Sequence, residues 1–193
     1  IDLAALTAAQ GTTIFGSDAN DRSGISVSSA GDVNGDGFDD LLIGAESADA
    51  FSNAKSYAGD SYVIFGGAAL PTTIDLANLG SAGITIYGAD GGDHSGISVS
   101  SAGDVNGDGF DDLLVGAYRA DAAGNAKLDT GDSYVIFGGA SLPTAIDLAN
   151  LGTAGITIFG VDATDRSGDP VSSAGDVNGD GFDDLLMGAD FAD

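Results

Sequence analysis

Asp32-Val-Asn-Gly-Asp-Gly-Phe-Asp-Asp40 recurs unchanged at 104–112 and 176–184, so this nonapeptide occurs three times at a period of 72 residues. Side-chain oxygens stand at its positions 1, 3, 5 and 9, and glycine stands at position 6. A calcium loop needs this order, because about six to eight oxygens must surround the ion and alternate residues of a tight turn point inward. Asn-Gly and Asp-Gly also form ordinary turns. A plain turn does not require three carboxylates at fixed offsets, so the repeat predicts a calcium loop.

The charge balance excludes several classes of partner. Five Lys and Arg residues stand against thirty acidic residues, and the formal net charge is −25 at pH 7. This composition argues against binding to nucleic acids and to anionic membranes. Because the chain has no cysteine, its stability must come from the repeats and bound metal. No apolar run reaches the roughly eighteen residues of a membrane-spanning helix. We therefore expect no membrane insertion. We also expect an exported protein that is extracellular or at the cell surface.

Each period carries strand signals. In the first repeat the four candidate strands are 24–30, 41–45, 61–65 and 84–87. The first alternates apolar and small polar residues, and the others are short apolar or β-branched runs. The segment 71–79 is predicted to be either an extended piece or a short helical turn. Four strands in meander order are typical of a β-propeller blade, with the calcium loop as the hairpin between the first two strands. An EF-hand is excluded because its position 12, Ile43, is not a glutamate and lies inside a strand.

The repeat resembles a known family. Ile14-Phe-Gly16, Ser23-Gly24, the loop 32–40 and Leu41-Leu-Ile-Gly-Ala45 together are similar to the FG-GAP repeat, the blade unit of the integrin α-subunit propeller, which also occurs in large secreted bacterial proteins. The resemblance implies four-stranded blades and one Ca²⁺ per repeat, three in all. By position it implies these ligands, with phenylalanine contributing its carbonyl: Asp32, Asn34, Asp36, Phe38, Asp40; Asp104, Asn106, Asp108, Phe110, Asp112; Asp176, Asn178, Asp180, Phe182, Asp184.

Position 8 of the loop is not a ligand in that pattern. The residues at this position are Asp39, Asp111 and Asp183. We expect them to face solvent or to support the loop, with a direct contact to the metal as the alternative.

The chain divides into an outer strand of a preceding or shared blade, two full repeats and a partial third: 1–16, 17–88, 89–160 and 161–193. These make about two and two-thirds blades of an all-β propeller, whereas a closed ring needs about four to eight. Three alternatives remain: a piece of a longer repeat protein, a protomer completed by other copies in a ring or filament, and an open monomer, which unpaired strand edges disfavour. Asp169-Pro170 replaces an apolar residue and a serine, so the first strand of the third repeat should be the weakest or lie at a boundary.

Further acidic and polar residues are candidate sites. The pair Asp18 and Asp21 recurs at 90 and 93 and at 162 and 165, and predicts either an Asx-type turn or a second cation site. His94 is the one histidine, which argues against zinc and Ser-His chemistry, so we expect no enzyme. The long loop 46–59 is where a repeat-specific surface would lie.

Three functional interpretations follow. The first is an extracellular calcium-binding structural or adhesive segment, whose partners are neighbouring repeats, other copies and a cell-surface or matrix ligand. The second is a protomer that assembles by inter-chain strand completion. The third is a carbohydrate-binding or enzyme accessory module, which the absence of tryptophan disfavours. The sequence does not identify a ligand.

Overall fold

The computed structural model describes residues 6–7, 10–50 and 54–192. This part of the chain is all-β, as predicted, with thirteen strands. In chain order they are β1 (Thr13–Phe15), β2 (Ser26–Gly31), β3 (Asp40–Ala45), β4 (Asp60–Ile64), β5 (Thr73–Asp75), β6 (Gly83–Tyr87), β7 (Ser95–Gly103), β8 (Asp112–Ala117), β9 (Asp132–Ile136), β10 (Ala145–Asp147), β11 (Gly155–Phe159), β12 (Ser167–Gly175) and β13 (Asp184–Ala189). One short helix, α1, covers Ala122–Asn125. Short 3-10 turns cover Leu76–Asn78, Gly80–Ala82, Leu148–Asn150 and Gly152–Ala154.

The strands form blades in the predicted meander order. In the first blade β2, β3, β4 and β6 are antiparallel neighbours, and in the second blade β7, β8, β9 and β11 repeat that order. The third repeat contributes the antiparallel pair β12 and β13. No sheet in the described residues closes on itself, so the predicted partial propeller is confirmed. The domain boundaries remain a prediction.

The segment 71–79 was predicted to be either extended or a short helical turn. It contains both, because β5 is followed directly by a 3-10 turn. Asp75 accepts a hydrogen bond from the amide of Ala77 and so starts this turn. The extended part belongs to the neighbouring sheet. β5 runs parallel to β1, and β10 runs parallel to β6, with Ile146 opposite Ile86. Each repeat therefore lends a short strand to the outer edge of the preceding sheet.

The hydrophobic core lies between the blades. Leu42, Val63 and Ile86 of the first blade are at most 1 % exposed and form one cluster with Val115 and Ile136 of the second blade. A single twisted sheet has no interior, so its apolar residues are removed from water only when the next blade covers them. Burial of apolar surface stabilises by about 25 cal/mol per Å². Stacking of blades is thus the main source of stability.

The first strand of each blade, called its inner strand, lies close to the first two strands of the preceding blade: β7 lies against β2 and β3, and β12 lies against β7 and β8. A Cβ on Gly44 would stand 1.9 Å from the carbonyl oxygen of Gly96, and Gly116 has the same relation to Gly168 at 1.8 Å. Serines link the inner strands to one another, because the hydroxyl of Ser26 in β2 accepts a hydrogen bond from the amide of Val99 in β7 at 3.0 Å. At Gly44 and Gly116, only a residue without a side chain permits the close approach of the next blade.

The inner strand β12 of the third repeat departs from this pattern. Ser98 accepts a hydrogen bond from the amide of Val171 at 3.0 Å, but Pro170 stands where a third such serine would be. Burial and the nearby Asp190 raise the pKa of Asp169, which sits where the other repeats have isoleucine. Within the described residues β12 pairs with β13 and packs against β7. This strand therefore lies at the boundary of the described blades.

The close approach of each inner strand to the preceding blade gives a first prediction. Gly44→Ala should destabilise the protein by about 3 kcal/mol or more, because its methyl group meets backbone that cannot move independently. Gly67→Ala is the control, since a Cβ at Gly67 meets nothing within 4 Å. The urea midpoint of unfolding measures both. Equal midpoints for the two variants would contradict the close contact between blades.

Candidate metal centre

The repeated nonapeptide forms the hairpin between the first two strands of each blade, as predicted. In the first repeat it connects β2 to β3, where Gly31 stands opposite Asp40. Gly35 and Gly37 have φ angles of 75° and 88° in this hairpin. These values lie in the left-handed region that favours glycine, and the two later copies repeat them within a few degrees. The sequence thus fixes the path of the loop through these glycines.

Asp32 stands at the centre of the first loop and orders its backbone. Its Oδ1 accepts hydrogen bonds from the amides of Gly35 and Asp36, at 2.8 and 3.0 Å. Its Oδ2 accepts one from the amide of Gly37 at 2.8 Å. The loop is therefore wrapped around one carboxylate. Asp104 and Asp176 make the same three bonds in their own loops.

Asn34 and Asp36 shape the middle of the loop. The side-chain oxygen of Asn34 accepts from the amide of Asp36 at 2.8 Å, and Asp36 Oδ1 accepts from the amide of Phe38 at 3.0 Å. These are Asx-type turns. Both side chains still have acceptor capacity, because an oxygen of this kind has two lone pairs.

Asp40 closes the loop against the rest of the blade. Its carboxylate is fully buried and accepts hydrogen bonds from the amides of Val33 and Gly66, at 3.1 and 2.7 Å. Burial raises the pKa of Asp40, and the charges of Asp36 and Asp32 raise it further. In the second loop the equivalent residue is Asp112, and its pKa rises to about 6 for the same reasons. The first two loops thus place other carboxylates close to a buried one, and these charges repel it.

The donor set fits a hard cation in its chemistry. All predicted ligands in each loop are oxygens, which Ca²⁺ prefers. Burial is the main cause of the raised pKa of Asp40, and a cation between the ligands would relieve the repulsion from Asp36 and Asp32 that adds to it. Within residues 6–7, 10–50 and 54–192, however, no three carboxylate or imidazole groups converge on one point as a metal cluster does. The predicted ligands of one loop therefore share a hairpin, and their grouping around one ion remains a prediction.

The aspartates at position 8 join neighbouring loops. Asp111 Oδ2 accepts a hydrogen bond from the amide of Asp32 at 2.8 Å, although these residues belong to different repeats. Asp183 makes the same contact with the amide of Asp104 at 3.0 Å. The expectation was that position 8 faces solvent or supports the loop: Asp39 is exposed, whereas Asp111 and Asp183 support the loop of the preceding repeat. The 72-residue period shows that they recur, but it contains no information about which loop they reach.

A second group of aspartates lies at the opposite end of each of the first two blades. Asp18, Asp21, Asp49 and Asp60 line a cavity of about 230 Å³ together with Tyr62. The second repeat has the equivalent cavity, of about 250 Å³, lined by Asp90, Asp93, Asp121 and Asp132. The sequence identified the first two aspartates of each set. It missed Asp49 and Asp60 and their equivalents, which come from distant segments but share the 72-residue offset.

Asp60 has the most perturbed pKa of the four aspartates that line the first cavity. Burial raises the pKa of Asp60 to about 7, and the charges of Asp21 and Asp49 add to the effect. Its Oδ2 lies 3.4 Å from the hydroxyl of Tyr62. Its Oδ1 has no hydrogen-bond partner among the described residues. The pKa of Asp132 also rises to about 7 because of burial.

A row of rings crosses the same end of the blades. The ring of His94 lies 5.8 Å from that of Tyr57 and 5.7 Å from that of Tyr118. Arg166 stands 5.7 Å from Tyr118 and 4.4 Å from Phe191. Tyr57 belongs to the loop 46–59 that we expected to carry a repeat-specific surface, of which 51–53 lie outside the described residues. His94 therefore packs between aromatic rings.

The pKa of Asp60 gives a second prediction. The folded pKa, about 7, exceeds the value of about 4 for an unfolded aspartate, so the folded state binds more protons between these limits. Its contribution to the free energy of unfolding is fully present below about pH 4 and is lost as the pH rises through 7. For metal-depleted protein, Asp60→Asn should therefore flatten the fall in melting temperature between pH 5.5 and 8.

Asp39→Asn is the control for this experiment, because Asp39 is exposed. It should keep the slope of melting temperature against pH that the unmodified chain shows. Identical slopes for Asp60→Asn and the unmodified chain would refute the assignment of this pH dependence to Asp60.

The chain was compared with known proteins. The model of the FG-GAP repeat matches residues 23–64, 95–136 and 171–193, which together are more than half of the chain. Integrin alpha pat-2 of Caenorhabditis elegans is 31 % identical over 167 residues, which are 82 % of this chain and 12 % of that protein. The chain thus spans about an eighth of the length of this relative. No helix in the described residues is long and apolar enough to cross a membrane. The predicted resemblance is confirmed, and the chain belongs to the FG-GAP repeat family.

Proposed function

We propose that the chain is a calcium-binding structural and adhesive repeat module. The observation that carries this proposal is the loop itself, which occurs three times with the same glycine conformations and the same amide bonds to its first aspartate. A turn that only reversed the chain would not need a buried carboxylate, Asp40 or Asp112, whose pKa is raised by burial and further by two neighbouring aspartates. A cation in each loop supplies the missing countercharge.

The proposed ligands in the first repeat are the side chains of Asp32, Asn34, Asp36 and Asp40 and the carbonyl of Phe38. Bound calcium would neutralise the carboxylates and cross-link the two ends of the hairpin. Asp40 already ties the hairpin to the end of β4 through the amide of Gly66, so a fixed Asp40 also fixes that end. Calcium binding would in this way make each blade more rigid.

Stabilisation follows from binding to the folded state. A ligand that binds only this state adds about 2.7 kcal/mol per site at a hundredfold excess over Kd. With a net charge of −25, the chain also loses self-repulsion when divalent cations bind. Both effects act in the same direction, so a folded array of blades would depend on the calcium concentration around it.

We place the chain outside the cell or at the cell surface, where calcium is abundant. The relative with 31 % identity is an integrin α subunit, which supports a binding role and this location. A carbohydrate-binding or catalytic role has less support, because His94 packs between tyrosines and the chain has no tryptophan. The adhesive partner would be a cell-surface or matrix ligand.

Removing calcium is the direct test. EGTA should lower the melting temperature of the chain by about 10 °C or more, because three sites lose their stabilisation together. Differential scanning calorimetry with calcium, with EGTA and with magnesium measures the effect. An unchanged melting temperature in EGTA would refute the calcium proposal.

Single loops can be tested separately. Asp36→Ala should remove one of three calcium sites in isothermal titration calorimetry, and Asp36→Ala with Asp108→Ala should remove two, because each substitution takes one carboxylate ligand from its own loop. Asp39→Ala is the matched control, since it removes the same charge from the same loop at a position that is not a proposed ligand. If Asp39→Ala abolished a site as Asp36→Ala does, the effect would be one of overall charge, and the ligand assignment would be wrong.

Head-to-tail self-association is a second candidate function. Within the chain, Phe110 of the second loop packs on Gly35 of the first loop, where a Cβ would stand 2.5 Å from the ring. The chain also exposes one phenylalanine and one glycine turn of the same kind that are not used in such a contact. At one end Phe38 is 43 % exposed and Asp39 is exposed. At the other end a Cβ on Gly175 or Gly179 would meet nothing within 4 Å. Such a contact between unlike surfaces would build rings or filaments.

Sedimentation velocity in calcium tests this candidate. The sedimentation coefficient should rise with concentration, and Phe38→Ala should reduce the rise because it removes the ring that fills the glycine turn. Leu128→Ala is the control, because Leu128 is 68 % exposed on a different loop. A monomer at every concentration would exclude self-association.

A further inference from the structure

The contact between successive loops is made by side chain and backbone together. Asp111 Oδ2 accepts from the amide of Asp32 at 2.8 Å, and the amide of Asp111 donates to the carbonyl oxygen of Asp32 at 3.3 Å. Asp183 and Asp104 repeat both bonds, at 3.0 and 3.3 Å. A hydrogen bond to a carboxylate is about twice as strong as one between neutral groups. The contact therefore fixes the first residue of one loop from the next repeat.

Neighbouring groups enclose this contact. The ring of Phe110 covers Gly35, and the amide of Gly139 donates to the carbonyl oxygen of Val33 at 2.8 Å. Asp111 is only partly exposed, whereas Asp39, the same position in the first loop, is exposed. Partial burial keeps water from competing for the amide of Asp32. Position 8 is therefore an aspartate in all three loops, but only Asp111 and Asp183 make the contact with a preceding loop.

Asp111 connects two proposed metal loops. It lies between Phe110 and Asp112, both proposed ligands of the second loop, and it holds Asp32, a proposed ligand of the first. We propose that Asp111 and Asp183 are positioning residues that couple each calcium loop to the loop of the preceding repeat. Calcium in the second loop holds the backbone on both sides of Asp111, and Asp111 then holds Asp32 in place for the first ion. By linkage the coupling is reciprocal, so the sites bind calcium cooperatively.

This inference rests on the proposed calcium function, but its contact exists without the metal. The test therefore has one arm without calcium and one with it. Three variants are compared with the unmodified chain at a concentration where sedimentation shows a monomer: Asp111→Ala, Asp111→Asn and Asp39→Ala. Asp39→Ala removes the same charge beside a loop without removing a contact between loops. Asp111→Asn keeps an oxygen that can accept the amide of Asp32.

The first arm measures melting temperature in EGTA. Asp111→Ala should lower it by about 4 to 6 °C, because a hydrogen bond to a charged group is lost at a partly buried position. Asp39→Ala should leave it unchanged within about 1 °C. Asp111→Asn should recover about half of the loss. Equal melting temperatures for Asp111→Ala and Asp39→Ala would overturn the inter-repeat contact.

The second arm measures calcium affinity by titration calorimetry. Asp111→Ala should weaken one site about tenfold and reduce cooperativity, because the first loop loses its support. In a chain that already carries Asp36→Ala, which disables the first loop, Asp111→Ala should change the remaining affinities less than twofold. A merely structural defect would weaken the remaining sites in both backgrounds, and that result would overturn the coupling.

The two proposals fail in different ways. If the unmodified chain binds no calcium, the proposed function and the coupling are both wrong, while the EGTA melts still report whether the contact exists. If it binds three ions independently and Asp111→Ala changes no affinity, the calcium function stands and the coupling alone is overturned.

Discussion

The spacing between each inner strand and the preceding blade governs the whole structure. Gly44 and Gly96 approach so closely that no side chain fits between them, and this approach brings Ser26 within reach of the amide of Val99. The same separation presses the faces of two blades together and buries the core that neither could bury alone. It also sets the distance across which Asp111 reaches Asp32. A wider spacing would remove the core, the serine bonds and the contact between loops at once.

Local features of the fold were predictable from the sequence because they repeat. The hairpin loops follow from alternating oxygen donors and glycines, and the four strands of each blade from short apolar runs between turns. The undecided segment 71–79 contains β5 and a 3-10 turn. Its pairing partner lies in another blade, and periodicity within one repeat contains no information about that. The match to the FG-GAP repeat and the prediction of four-stranded blades both depend on these loops and short apolar runs.

Contacts between distant segments were not predictable. Asp39, Asp111 and Asp183 have the same local sequence, yet two of them reach a neighbouring loop and one faces solvent. Asp49 and Asp60 line a cavity with Asp21 only because three segments converge at one end of a blade. The offset of 72 residues indicated that such positions are equivalent in each repeat. It gave neither their neighbours nor their burial, which depend on how the blades stack.

The short strand β10 has a consequence for synthesis of the chain on the ribosome. The outer edge of β6 is covered only when Ile146 arrives opposite Ile86, 60 residues later. At about 5 to 20 residues per second, that edge remains open for roughly 3 to 12 s after β6 has emerged. During this interval a nascent blade presents an unpaired strand to other nascent chains. An array built in this way completes each blade one repeat late, so a translational pause inside a repeat would prolong the exposure of the blade before it.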